Sequence, residues 1–259
     1  MRRVVIVGLA SLALSSVITV TAKPLLSLRL VTQIRYTPDN YVQDGLVAMW
    51  DGEWNAGRGV HDPNATVWKD LVGTRDLAML DMTTSSRCWK KKYAYTAGGA
   101  LTQSSTEQIS EARAIECVHM RTADGRAYAS PLVWNGFVNG TTESYNITTC
   151  ILTWHHEAAT GGLQVAYDKF ASFDTPIDYN TIYTFTAQYS ISFRNAIGME
   201  VQTLEGDSWG YMGDFQLACR DELNSYNSPG RFYCIRIYNR ELSANEVAHN
   251  YAVDKARFH

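Results

Sequence analysis

The sequence predicts an all-β fold, an antiparallel two-sheet sandwich with a short C-terminal helix. Three observations predict it. From Leu46 onward the hydrophobic periodicity is mostly two, as in half-buried strands. Turn signals interrupt it every 8–15 residues, as expected of a sandwich. No alternation of strand and helix appears, which argues against a doubly wound α/β fold.

The elements follow in order. Leu46–Trp50 reads as a short strand stopped by Asp51-Gly52, and Ala114–Met120 alternates. Thr148–His156 and Leu163–Asp168 read as a strand pair broken by Ala158-Ala-Thr-Gly-Gly162. Thr181–Phe193 reads as one strand, with Tyr183, Phe185, Ala187, Tyr189, Ile191 and Phe193 on its apolar face. Met199–Leu204, Phe215–Cys219 and Arg231–Tyr238 are further strands. Ser243-Ala-Asn-Glu246 is a capping box, whose hydroxyl and carboxylate satisfy each other's orphan backbone N–H groups. It opens a helix of about three turns, with Val247 and Tyr251 directed at the sheet.

The chain has 259 residues, 46% hydrophobic and 19% charged, which is enough apolar material for a core. Its 15 Tyr, 8 Phe and 7 Trp favour strands and polar binding surfaces alike. The net charge of −3 conceals an asymmetry: residues 1–38 carry +5 and the remainder −8. A net charge of −3 gives no sign of a nucleic-acid binder, whose electrostatic attraction needs clustered cations.

Arg2 and Arg3 precede an uncharged run from Val4 to Ala22. Residues 1–22 read as a signal peptide, an uncleaved membrane anchor or a docking arm that packs on a partner. Residues 23–43 read as a linker with one short strand, Leu28–Tyr36, and residues 44–259 as the folded domain.

Five cysteines, Cys88, Cys117, Cys150, Cys219 and Cys234, lack C-x-x-C or zinc spacing. They read first as buried free thiols, with one or two disulfides reasonable on export. Asn64, Asn139 and Asn146 stand in glycosylation triplets.

The segment Gly230–Tyr251, with Arg236-Ile-Tyr-Asn-Arg240 followed by Leu242-Ser243, resembles the closing strand and helix of laminin-G-like, concanavalin-like jelly-roll domains. Residues 45–52 and 59–73 resemble the opening motifs of a subset of that family found in gut bacteria and their prophages. The resemblance brackets residues 44–257. It implies a jelly roll, a calcium site at a loop rim, and either a recognition or a phage structural role. Trp50 and Trp68 fall inside its motifs and are assigned to the core. Asp70 is expected to accept N–H groups in its own turn, Gly73 to take positive φ, and Arg236 to pair with Glu241.

The same fold class includes glucanases, whose Glu-x-Asp-x-x-Glu strand supplies nucleophile and acid. The nearest match, Glu205-Gly-Asp207-Ser-Trp-Gly210, lacks the third carboxylate. His155 and Glu157, with His61 or Asp62, could form a metal set, but a polar strand end is the preferred reading. No catalytic residue is therefore assigned. Trp54, Trp134, Trp209 and Tyr211 are flanked by polar residues or glycine and are the candidate sugar platforms, read as loop residues. Asp168, Asp178 and Asn180 are the candidate calcium ligands.

The leading expectation is a non-catalytic recognition module binding a glycan or protein at a cell surface or in a phage particle. The alternatives are a virion assembly protein docking through its basic arm, and a glycoside hydrolase. A location outside the cell or at its surface follows from export, and a virion location from docking.

Overall fold

A computed structural model describes residues 35–98, 101–102, 109, 111–122, 128–138, 149–155, 160–165, 169–176, 180–188, 191–195, 198–203, 209–217 and 229–259. For residues 128–176, 191–195 and 202–217 the description is of the backbone. The leader therefore lies outside the described residues, as do Asp168, Asp178, Glu205, Asp207 and Cys219.

The strands are β1 (Leu46–Asp51), β2 (Val67–Trp68), β3 (Leu77–Ala78), β4 (Arg87–Lys90), β5 (Tyr93–Thr96), β6 (Ala114–Arg121), β7 (Tyr128–Val138) and β8 (Thr149–His155). They continue as β9 (Thr160–Val165), β10 (Lys169–Pro176), β11 (Ile182–Gln188), β12 (Ile191–Asn195), β13 (Met199–Thr203), β14 (Trp209–Leu217) and β15 (Gly230–Tyr238). Helix α1 (Ala244–Phe258) closes the chain.

Eight strands form one antiparallel sheet in the order β13-β12-β11-β6-β15-β5-β4, with β1 also paired to β15. A second sheet runs β10-β9-β8-β7-β14, and the two make the sandwich. β15 pairs with β6 along its length. Its other edge is shared: β5 takes Gly230–Phe232 and β1 takes Cys234–Tyr238.

Most expected elements are present, with instructive differences. β8 and β9 pair as expected, but Gly161 and Gly162 lie inside β9 rather than in the break. The single strand expected over Thr181–Phe193 is an antiparallel hairpin, with Thr184 opposite Asn195 and Ala187 opposite Ser192. Period-two alternation runs through both arms and does not reveal the reversal. Both faces of β11 are buried: Tyr183, Phe185 and Ala187 in the main core, Thr184, Thr186 and Gln188 on the other side. Helix α1 spans 15 residues, four turns rather than three. Its capping box forms as read, with the Ser243 Oγ accepting from the Glu246 N–H and the Glu246 carboxylate accepting from the Ser243 N–H.

The main core lies on the sheet face opposite α1 and holds Trp50, Trp68, Trp89, Phe185, Phe232 and Ile235. Each buried indole donates to a carbonyl: Trp50 to Arg75 (2.8 Å), Trp68 to Asp51 (3.0 Å) and Trp89 to Ala65 (2.8 Å). Burying an indole N–H with a partner avoids the cost of leaving it unmade. Asp70 acts as expected, accepting from the N–H groups of Val72 and Arg75, and also from Met49. Gly73 is not among the glycines at positive φ. It is required by closeness instead, because a Cβ there would stand 2.8 Å from the Asp70 carboxylate.

The other face carries α1 over a second cluster that includes Met49, Val118, Tyr238, Val247 and Phe258. The stretch expected as linker contributes to it. Tyr41 is buried, and its hydroxyl donates to Asp254 at 2.7 Å. The folded unit begins at Tyr36.

Candidate functional site

Beneath α1 lies a buried polar network. Arg236 does not pair with Glu241; its guanidinium meets Asp254 through two bonds (2.7 and 2.8 Å) and Glu116 through a third (2.8 Å). Glu116 on the neighbouring strand and Asp254 on α1 satisfy its five-donor fork better than a surface pair at the corner. Thr186 and Asn250 also donate to Glu116, and Thr184 to Asp254. Arg257 donates to Asp51 and Glu53. Burial works against the Arg236 charge, but Asp254 and Glu116 outweigh it and raise its pKa well above the usual value. Burial pushes the Glu116 carboxyl up, and Arg236 opposes it. The members at the centre of this network have no exposed side-chain surface, so it fastens the helix and offers a ligand no entry.

An open site lies on the same sheet face, beside the C-terminal end of α1. It is a groove of about 380 Å³ lined by Lys90, Tyr93, Tyr95, Thr122, Asn180 and Arg231. Strand geometry assembles it. Tyr93 and Tyr95 are two residues apart on β5, so they share a face. Lys90 stands opposite Tyr93 on β4, and Arg231 opposite Tyr95 on β15. Paired residues across an antiparallel ladder also share a face. Both tyrosines and Arg231 are half-buried, while Lys90 is exposed.

The floor is rigid. Phe258 packs on Tyr233 (ring centroids 5.2 Å apart), Tyr233 packs on Tyr93 (5.1 Å), and the Arg231 guanidinium sits 5.0 Å from the Tyr93 centroid. Burial raises the Tyr233 phenol, and the neighbouring Arg231 guanidinium counters that rise. Lys92 donates to the Arg257 carbonyl in the last turn of α1, a favourable place for a cation at the negative end of the helix dipole. At the far end, the Asn180 N–H donates to the Arg121 carbonyl (2.8 Å), with Asn180 at φ 61°. Asparagine tolerates that left-handed conformation better than most residues.

Of the candidate calcium ligands, only Asn180 is described. It lines this groove beside two cations and, among the described residues, no carboxylate. Among the described residues, no group of three or more His, Cys, Asp and Glu is arranged to hold a metal. Trp134 stands within β7, and Trp209 and Tyr211 within β14, so all three are strand residues and not the loop residues expected. Trp134 pairs with Phe215, Trp209 with Val138 and Tyr211 with Phe137, which places them on adjacent strands of the second sheet. Trp54 is half-buried against the cluster under α1. Cys117 and Cys234 are buried free thiols as expected, and burial pushes the Cys117 thiol up to about 12.

The sequence reading missed Lys90, Tyr93, Tyr95, Thr122 and Arg231. The signal was Lys90-Lys-Lys-Tyr93-Ala-Tyr95, a basic turn followed by tyrosines at strand spacing.

No family model and no curated protein matches the chain. Solved structures do. The sialidase of Trypanosoma rangeli in complex with sialic acid is 11% identical with a TM-score of 0.54, over 82% of this chain and 33% of that one. Its covalent intermediate with 2,3-difluorosialic acid is 13% identical with the same TM-score and coverage. The chain thus spans about a third of the length of those enzymes. The carbohydrate-binding module (CBM40) of the Ruminococcus gnavus IT-sialidase, bound to α2,3-sialyllactose, is 16% identical with a TM-score of 0.39, over 59% of this chain and 94% of that one. At these identities the sialidase matches establish a shared β-sandwich fold.

Proposed function

We propose that the domain is a non-catalytic carbohydrate-recognition module, with the groove over β4, β5 and β15 as its binding site. The observation that carries this reading is the pair of half-exposed tyrosines, Tyr93 and Tyr95, side by side on one strand face and ringed by hydrogen-bonding groups. A sugar has an apolar face and a belt of hydroxyls. An aromatic ring covers the first, and Asn180, Thr122 and the two cations serve the second.

The lining also supports binding without turnover. Among the described residues its lining holds no carboxylate, imidazole or thiol, the commonest general acids and bases near neutral pH. Most glycosidases need two carboxyl groups across the scissile bond, sialidases with their tyrosine nucleophile being an exception. The Asp and Glu side chains nearest to α1 are engaged by Arg236 and Arg257. Sialic acid is bound by one protein that shares the fold, the T. rangeli sialidase.

A glycan array probed with the full chain tests the reading. Binding to a defined subset of glycans, without product release on prolonged incubation, is the expected result. Retention of no glycan, or release of sugar, overturns it.

A further inference from the structure

We infer that the groove selects an anionic sugar unit, whose carboxylate or sulfate is held by Lys90 and Arg231. The inference deepens the carbohydrate-recognition reading and rests on it.

Two observations carry it. The first is the contrast between these cations and others in the domain. Arg58 meets Asp39, Lys69 meets Asp76, Arg75 meets Glu111, Arg236 meets Glu116 and Asp254, Arg240 meets Glu246, and Arg257 meets Asp51. Among the described residues, Lys90 and Arg231 meet no carboxylate and no acidic residue lines their groove. The domain is acidic, −8 over residues 39–259, so carboxylates are plentiful. Two cations facing one groove without a counter-ion are a binding arrangement for an anion.

The second is preorganisation. Arg231 is held over the Tyr93 ring, 5.0 Å from its centroid, and two residues along the same strand face stands the Tyr233 phenol. A guanidinium fixed in this way presents its remaining N–H groups with little further loss of side-chain entropy, and its fork matches a carboxylate or sulfate. Lys90 adds a mobile point charge from the opposite strand. An acidic sugar would set its ring on Tyr95 and its anion toward Arg231, the residue paired with Tyr95.

Calorimetry with the full chain tests this, using three saccharide sets matched in length: neutral, carboxylated (sialylated or uronic acid) and sulfated. Tighter binding of an acidic set by about tenfold or more over the neutral set is expected, with affinity falling as salt rises. Arg231→Gln and Lys90→Gln should each remove about tenfold for the acidic set and weaken the neutral set by much less, so that the preference for acidic sugars falls. Circular dichroism and the melting temperature establish that each variant is folded, and Lys90, being exposed, serves if Arg231→Gln fails to fold. Equal affinity for neutral and acidic sets, or acidic binding untouched by Lys90→Gln and Arg231→Gln, overturns the inference and leaves carbohydrate recognition standing. Binding to none of the three sets overturns both.

Discussion

Arg236 on β15 and Asp254 on α1 form a bidentate pair, 2.7 and 2.8 Å, with neither side chain exposed. The pair fixes the helix to the central strand of the large sheet. The same helix ends in Phe258, on which Tyr233 and then Tyr93 are stacked. The fold's main polar network thus supports the floor of the groove from behind.

Removing one partner of a buried pair leaves the other charge stranded. Arg236→Met would leave Asp254 and Glu116 buried without their cation. A loss of about 3–5 kcal/mol is expected in urea unfolding. A loss under about 1 kcal/mol, the scale of an exposed pair, would mean that α1 is held chiefly by its apolar face.

His119 predicts a pH dependence. It is fully buried against Phe232, and burial lowers its pKa to about 3, with Arg121 adding to the shift. The unfolded chain takes up this proton near pH 6.5, well before the native state does. Stability from the neutral imidazole is therefore complete above about pH 6.5 and is lost progressively toward pH 3. Between pH 7 and pH 5 the expected loss is about 2 kcal/mol. His119→Gln should flatten that slope, as read by chemical unfolding at both pH values; an unchanged slope would contradict the assignment.

Gly230 opens β15 at the edge of the groove. A Cβ there would stand 2.3 Å from His119 Nε2 and 2.6 Å from the Met120 carbonyl oxygen. The carbonyl belongs to the neighbouring strand and cannot yield without breaking pairing. Gly230→Ala should lower stability by about 1–3 kcal/mol and weaken sugar binding by displacing Arg231. A variant as stable as the parent would show that the β6–β15 spacing relaxes easily.

The parts of the fold legible in the sequence are those whose signals are local. Ser243 and Glu246 lie three residues apart, and the strands containing Cys117 and Ile235 each carry their own alternation. The hairpin of β11 and β12 was hidden because its alternation continues through the reversal. The β4–β5 hairpin was hidden because Lys91 and Lys92 form its turn with no Gly, Pro, Asn or Asp to mark it. The groove was out of reach for a different reason. Lys90, Thr122, Asn180 and Arg231 are brought together by pairings across the sheet, which no spacing encodes. Trp134, Trp209 and Tyr211 were singled out by polar and glycine neighbours, and those neighbours occur within strands as well as in loops. Arg236 was noticed, but Glu116 stands 120 positions away, beyond any local pattern.

Tyr95 offers the most direct test of carbohydrate recognition in the groove. It is half-exposed, and its loss removes the proposed sugar platform without touching the network under α1. The measurement is calorimetric affinity of the full chain and of Tyr95→Ala for the strongest glycan found on the array. A loss of about tenfold or more, with an unchanged melting temperature, is the predicted result. Equal affinity in the two proteins would place sugar binding elsewhere and contradict the account.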